Sequence, residues 1–93
     1  MSKPDTAIIL KLRADIRHSR VGDEGVILRQ DDAEVMVVND VAARIVELID
    51  SQRSLDDVIM MLELEYEIDH ATLEKDVIQY ASELLESGIA ETA

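Results

Sequence analysis

The hydrophobic period of this chain changes once, at Asn39, and that change limits the fold more than any other feature. Before it, apolar residues come in short runs suited to strands: Ile16 to Val21, Val26-Ile27-Leu28, and the β-branched run Glu34-Val35-Met36-Val37-Val38. Gly22-Asp23-Glu24-Gly25 and Gln30-Asp31-Asp32 separate them as turns. Runs of this length at this spacing predict an antiparallel meander of two or three strands. Upstream, the alternation of Ile8, Leu10 and Leu12 is a weak strand signal or an extended lead-in, and Pro4 marks a loose tail. Residues 1–13 are therefore expected to be a tail or lead-in, and residues 14–90 a single domain.

After Asn39 the period is 3.6. Asn39 caps a helix expected over Asp40–Asp50, whose stripe is Val41, Ile45, Leu48 and Ile49. Ser54 caps the next, with Asp57 completing a short-armed capping box; Leu55, Val58, Ile59, Leu62 and Tyr66 form its buried face. Met60, Met61 and Leu64 lie beside or opposite that face, as core filling or as a greasy contact surface. Asp69 caps the longest helix, which ends at Ser87-Gly88 with Ile89 folding back. Leu73, Val77, Tyr80, Ala81 and Leu84 share one of its faces. A meander followed by three helices means an α+β domain.

Composition removes most chemistry from a chain of 93 residues. Without cysteine there is no disulfide, zinc-thiolate site or thiol nucleophile. Nine Lys/Arg against 21 Asp/Glu give a net charge of −12, the wrong sign for nucleic acid or an anionic membrane. With no Trp or Phe, bases have no stacking platform. The charge is uneven: residues 1–29 hold six basic and four acidic side chains, whereas residues 30–93 hold three basic and 17 acidic ones. No apolar run is long enough to span a bilayer and the start lacks a signal-peptide core, so a cytoplasmic protein is expected.

His18 and His70 have no second ligand at metal spacing and read as surface residues. Asp31-Asp32 lack the remainder of a calcium loop, and three scattered glycines make no phosphate loop. With neither a base–nucleophile pair nor a nucleophile elbow, no catalytic residue, metal or cofactor is expected, and the chain reads as a binding module. The last strand of the meander offers a surface for this: at a sheet edge, its free N–H and C=O groups can accept an extended peptide.

Three stretches carry a family resemblance: Val21-Gly22-Asp23-Glu24-Gly25-Val26-Ile27-Leu28; Val37-Val38-Asn39-Asp40-Val41-Ala42-Ala43-Arg44-Ile45; and Leu48-Ile49-Asp50. In that order and spacing they resemble the PqqD-like family. Ser54-Leu55-Asp56-Asp57-Val58-Ile59, Leu62 and Tyr66 match its second helix, and Asp76-Val77, Leu84 and Gly88-Ile89 its last. The resemblance covers about residues 14–90. It implies a winged-helix-like fold, a three-stranded sheet with three helices, and the work of a peptide chaperone. In that family a recognition element holds the leader segment of a ribosomally made, modified precursor peptide. The leader adds to the third strand, here Ala33–Val38, and lies against the third helix, here Asp69–Ser87. The implied peptide-binding residues are Glu34, Val35, Met36, Val37 and Val38 on the strand, with Asp76, Val77, Tyr80 and Glu83 on the helix. The implied partner in trans is a peptide-modifying enzyme, such as a radical SAM enzyme, a cyclodehydratase or a lasso-type protease. A monomer or weak dimer is expected, and the acidic third helix should favour leaders carrying Lys or Arg.

Where the resemblance departs from the family pattern, Asp31-Asp32 replace a glycine often found before the third strand. Three other readings compete. Asp50-Ser51 could mark an acyl or peptidyl carrier, although Gln52 follows where an apolar residue is wanted. Met60, Met61 and Leu64 could make a dimerising scaffold. A winged-helix DNA binder would need basic residues on the second and third helices, which hold Lys75 alone.

Overall fold

A computed structural model describes residues 6–93; Pro4 and the start of the expected tail lie outside the described residues. The chain runs β1 (Leu10–Leu12), β2 (Ile16–Val21), β3 (Glu24–Arg29), β4 (Glu34–Val38), α1 (Asp40–Leu48), α2 (Leu55–Glu65), α3 (His70–Glu86) and β5 (Ala90–Thr92). β2, β3 and β4 form the expected antiparallel sheet in that order, so the α+β meander-then-helices reading holds. The register sets His18 opposite Ile27 and Ile27 opposite Met36 on the face toward the helices. Val26 and Leu28 stand opposite Val37 and Val35 on the outer face.

The expected 1–13 and 14–90 division needs correction at both ends. β1 and β5 pair antiparallel as a second, two-stranded sheet, with Leu10 opposite Thr92 and Leu12 opposite Ala90. Leu10 and Ala90 are buried in the main core. The backbone just before β1 is also tied down: Ile8 O accepts from Leu55 N at 3.0 Å and Thr6 O from Asp56 N at 2.8 Å. Cutting at residue 14 would remove one wall of the core.

Local chemistry explains the turns and caps. Gly22 turns β2 into β3 at φ +61. The β3–β4 turn has no glycine, and Ala33 takes φ +56 there while Asp32 Oδ1 accepts from Glu34 N at 3.1 Å. A left-handed alanine costs about 1 kcal/mol relative to glycine, part of which glycine loses again in unfolded-state entropy. Ala33→Gly should therefore raise the unfolding free energy by roughly 0.5 kcal/mol, read from denaturant melts; a loss of stability would contradict this backbone.

Asn39 caps α1, its side chain accepting from Ala42 N at 2.9 Å. The Ser54–Asp57 capping box is formed in both directions at α2. Asp69 caps α3 through Thr72 N at 3.0 Å. At the far end Ile89 N donates to Leu84 O and Gly88 N to Leu85 O, with Gly88 at φ +76, which is the Schellman closure expected. That reversal launches β5. α1 ends two residues before the expected Asp50, because Asp50 instead accepts from Gln52 N and Arg53 N and so turns the chain toward α2.

One close approach fixes α1 on the sheet. Gly25 of β3 is buried, and a Cβ there would lie 2.5 Å from Ala43 Cβ of α1. α2 packs on α1 and α3, burying Leu55, Val58, Ile59 and Leu62. Met61 packs against this core, but Met60 is 61 % exposed and Leu64 83 %, so Met60 is not a core filler.

Candidate binding site at the edge of the sheet

β4 is bonded to β3 on one side only; among the described residues no backbone hydrogen bond reaches its other edge. Beyond the end of β4 a groove of about 370 Å³ opens between α1 and α3. Its α1 wall is Asn39, Val41, Ala42 and Ile45; its α3 wall is Asp76, Gln79, Tyr80 and Glu83; Ile68, from the α2–α3 connection, completes it. Asn39, which follows Val38 at the end of β4, lines the groove.

The expected site residues divide in a physically sensible way. Asp76, Tyr80 and Glu83 come together on one wall. They fall at i, i+4 and i+7, and so share a helix face. Val77 does not join them: it is 0 % exposed and packs in the core, so the expected contact at Val77 is corrected to a structural role. One position along the helix rotates its side chain about 100° away from Asp76. On β4, Met36 and Val38 turn inward and pack against the core, while Val35 and Val37 are exposed on the outer face and Glu34 is exposed at the strand's start. What these five share is an edge of backbone, not a common side-chain face.

Asn39, Val41, Ala42, Ile45, Ile68 and Gln79 also line the groove, although no sequence pattern marks them as site residues. Asn39 reads from sequence as a cap, and it is one; the same residue then faces the groove. Val41 and Ile45 read as core stripe, and only the position of α3 shows that the edge of that stripe is open.

A charged network holds the α1 wall in place. Arg20 of β2 donates to Asp40 Oδ1 at 2.8 Å and to Glu47 Oε2 at 3.0 Å. Arg44 donates to Glu65 of α2 at 2.7 Å, and also pairs with Glu47. Tyr66 Oη donates to Asp40 Oδ1 at 2.9 Å. The first residue of α1 is thus tied to β2 and to the end of α2, just beside the groove-lining Asn39 and Val41. Arg20 holds the Asp40 and Glu47 carboxyls below their ordinary values, and Arg44 does the same for Glu65. Tyr66 is pushed up, first by burial and then by the Asp40 carboxylate. On the groove wall, burial chiefly, and then Glu83, push the Tyr80 hydroxyl up.

These shifts make an acid-stability prediction. A carboxyl with a depressed folded-state pKa stabilises above its ordinary value, and that stability is lost as pH falls through the folded-state value. For Glu47 and Glu65 the ordinary value is 4.5. Urea melts from about pH 5 down to about pH 3 should show falling stability, with a smaller fall in Arg44→Gln. Equal falls would mean that the Arg44 pairs contribute nothing. The pairs are partly exposed, so the effect is modest and shrinks in salt.

The other candidate features are structural. Ser51 sits in the turn after α1 at φ +70, its N–H donating to Leu10 O at 3.1 Å. His18 is exposed on β2. His70 is exposed at the start of α3, bonded to Glu63 and Glu74. Among the described residues no group of three His, Asp or Glu is placed to hold a metal ion, and no helix is long and apolar enough to cross a membrane.

Comparison with known proteins places the chain among relatives of the same fold. The PqqA binding protein of Gluconobacter oxydans (strain 621H) is 31% identical over 77 residues, which are 83% of this chain and 78% of that one. A lasso peptide synthetase B1 complexed with the leader peptide superposes with a TM-score of 0.76 at 30% identity, covering 88% of this chain and 96% of the other. TbiB1 in complex with the TbiA(beta) leader peptide gives a TM-score of 0.77 at 21% identity, with 87% and 94% covered, and shares the fold. The family model for coenzyme PQQ synthesis protein D (PqqD) matches residues 24–90, which runs from the first residue of β3 into β5 and takes in both the free edge and the groove. This chain belongs to the PqqD family.

Proposed function

We propose that this chain is a non-catalytic recognition element that captures the leader of a ribosomally made precursor peptide and presents it to a separate modifying enzyme. One observation carries the reading: β4 has a free edge, and the residue that follows it, Asn39, lines an open groove against α3. An extended leader adds to β4 through backbone hydrogen bonds, which ask little of its sequence. Its side chains then meet Val41, Ile45, Ile68 and Tyr80, which supply selectivity. The relatives support this, since one is named for binding PqqA and another was solved with its leader peptide.

The work is physical. Holding the leader raises the effective concentration of the attached core peptide at the enzyme without a bond being made or broken. A cytoplasmic setting, where precursor and enzyme meet, belongs to the same reading. The exposed Met60 and Leu64 favour a scaffold as a second reading, but Asp56, Glu63 and Glu67 beside them would confront their own copies in a dimer. A monomer, or at most a weak dimer, follows.

Titrating the cognate leader into the 15N-labelled chain should shift the amides of residues 33–38 and 73–84 together. Movement confined to α2, or to the outer face of the sheet, would overturn the reading.

A further inference from the structure

Two charges on the groove have no partner among the described residues. Asp76 and Glu83 stand on its α3 wall with Tyr80 between them. Among the described residues neither carboxylate has an ion pair or hydrogen-bond partner. On the α1 side, by contrast, Asp40, Glu47 and Glu65 all accept from arginines. Among the described residues no lysine or arginine lines the groove, and its apolar surface comes from Val41, Ala42, Ile45, Ile68 and Tyr80. The site is therefore an apolar trough with an unneutralised anion at each end of one wall.

The spacing makes this more specific than a general taste for cations. Seven residues of helix separate the two carboxylates by about 10 Å along the axis. In an extended peptide, alternate side chains share a face and stand about 6.7 Å apart. A side chain seated over Tyr80 thus has same-face neighbours two residues away on either side, about 13 Å from one another. The flexible stem of Lys or Arg absorbs the difference of about 3 Å. Cations one residue from the seated side chain would point to the opposite face. An acidic residue two away would meet Asp76 or Glu83 in a molecule already at −12.

Resting on the strand-addition reading, we propose that this groove selects leaders carrying the pattern cation–x–apolar–x–cation. The apolar residue sits against Tyr80, Ile45 and Ile68, and the two Lys or Arg side chains pair with Asp76 and Glu83. Asp76 and Glu83 are specificity-determining residues, and the apolar trough supplies the anchor between them.

The test uses the full 15N-labelled chain and four synthetic peptides differing only at their centres: Lys-Thr-Leu-Thr-Lys, Gln-Thr-Leu-Thr-Gln, Glu-Thr-Leu-Thr-Glu, and Thr-Lys-Leu-Lys-Thr. The last has the composition and charge of the first, with its cations moved to the other face. At low salt the first should bind about fivefold tighter than the glutamine peptide, and the glutamate peptide most weakly. The advantage should shrink below about twofold at high salt. Asp76→Asn with Glu83→Gln should abolish it, and Asp76→Lys with Glu83→Lys should transfer it to the glutamate peptide. These side chains are exposed, so thermal melts of the variants should match the parent.

Equal affinity for the first and last peptides would show attraction by overall charge alone and overturn the pattern. Equal affinity for the lysine and glutamine peptides would overturn it as well. In both cases shifts at Glu34–Val38 would leave strand addition standing. If no peptide moves those amides, strand addition fails and this selectivity fails with it.

Discussion

Gly25→Ala should lower the unfolding free energy by about 2 kcal/mol and the melting temperature by about 10 °C. The added Cβ would come within 2.5 Å of Ala43 Cβ, 3.1 Å of Val38 Cγ2 and 3.2 Å of Ala43 Cα. Two of these atoms belong to α1, and a backbone Cα cannot rotate out of the way. Relief therefore requires α1 to lift from β3. Because Val41, Ala42 and Ile45 of α1 wall the groove, leader affinity should fall in parallel with stability. Adding Ala43→Gly removes the struck methyl and should restore part of the loss, less about 1 kcal/mol for glycine within a helix. Without such coupling in the double-mutant cycle, the close approach of α1 to the sheet would be wrong.

Tyr80→Ala should weaken leader binding by about thirtyfold, roughly 2 kcal/mol, the size expected of an aromatic anchor at the centre of an interface. The ring is half-buried, packs against the core and lines the groove between Asp76 and Glu83. Some folding stability goes with it, so Tyr80→Phe is the necessary companion. The hydroxyl makes no hydrogen bond among the described residues, and Phe keeps the ring. Tyr80→Phe should bind almost as the parent does. A large loss in Phe would assign the effect to the hydroxyl; no loss in Ala would remove Tyr80 from the site.

How much of the fold is legible in the sequence varies with the range of the interaction involved. Caps are local, so Asn39, Ser54, Asp69 and Gly88 each mark a helix end that the structure reproduces. The meander is legible because its turns are short and its runs strand-prone. The β1–β5 pair is not, since it joins residues 10–12 to 90–92 through strands of three residues, and the weak alternation of Ile8, Leu10 and Leu12 does not name a partner so far along the chain. The same limit applies within α3. Periodicity places Val77 and Tyr80 on one apolar stripe, but only the positions of α1 and α2 decide which edge of it stays open. Val77 closes into the core and Tyr80 faces the groove. Glycine is absent from the β3–β4 turn, and Ala33 takes the left-handed conformation in its place, which no sequence pattern announces.

Electrostatics divides the molecule in a way that bears on function. The arginines Arg20 and Arg44 are committed to holding α1 against β2 and α2, with their own pKa values raised by the carboxylates they serve. That leaves the groove wall acidic, with no basic partner among the described residues. Paired charges fix α1, one wall of the groove, while the carboxylates of the other wall are available to a ligand.

Backbone hydrogen exchange along β4 tests the central claim most directly. In the free protein, the amides of Glu34–Val38 that point away from β3 should exchange quickly, alternating with slow neighbours bonded to β3. On adding the leader, those fast amides should become protected, so that the alternation disappears. If they stay fast while the leader is bound, the peptide does not join the sheet, and recognition by strand addition is contradicted.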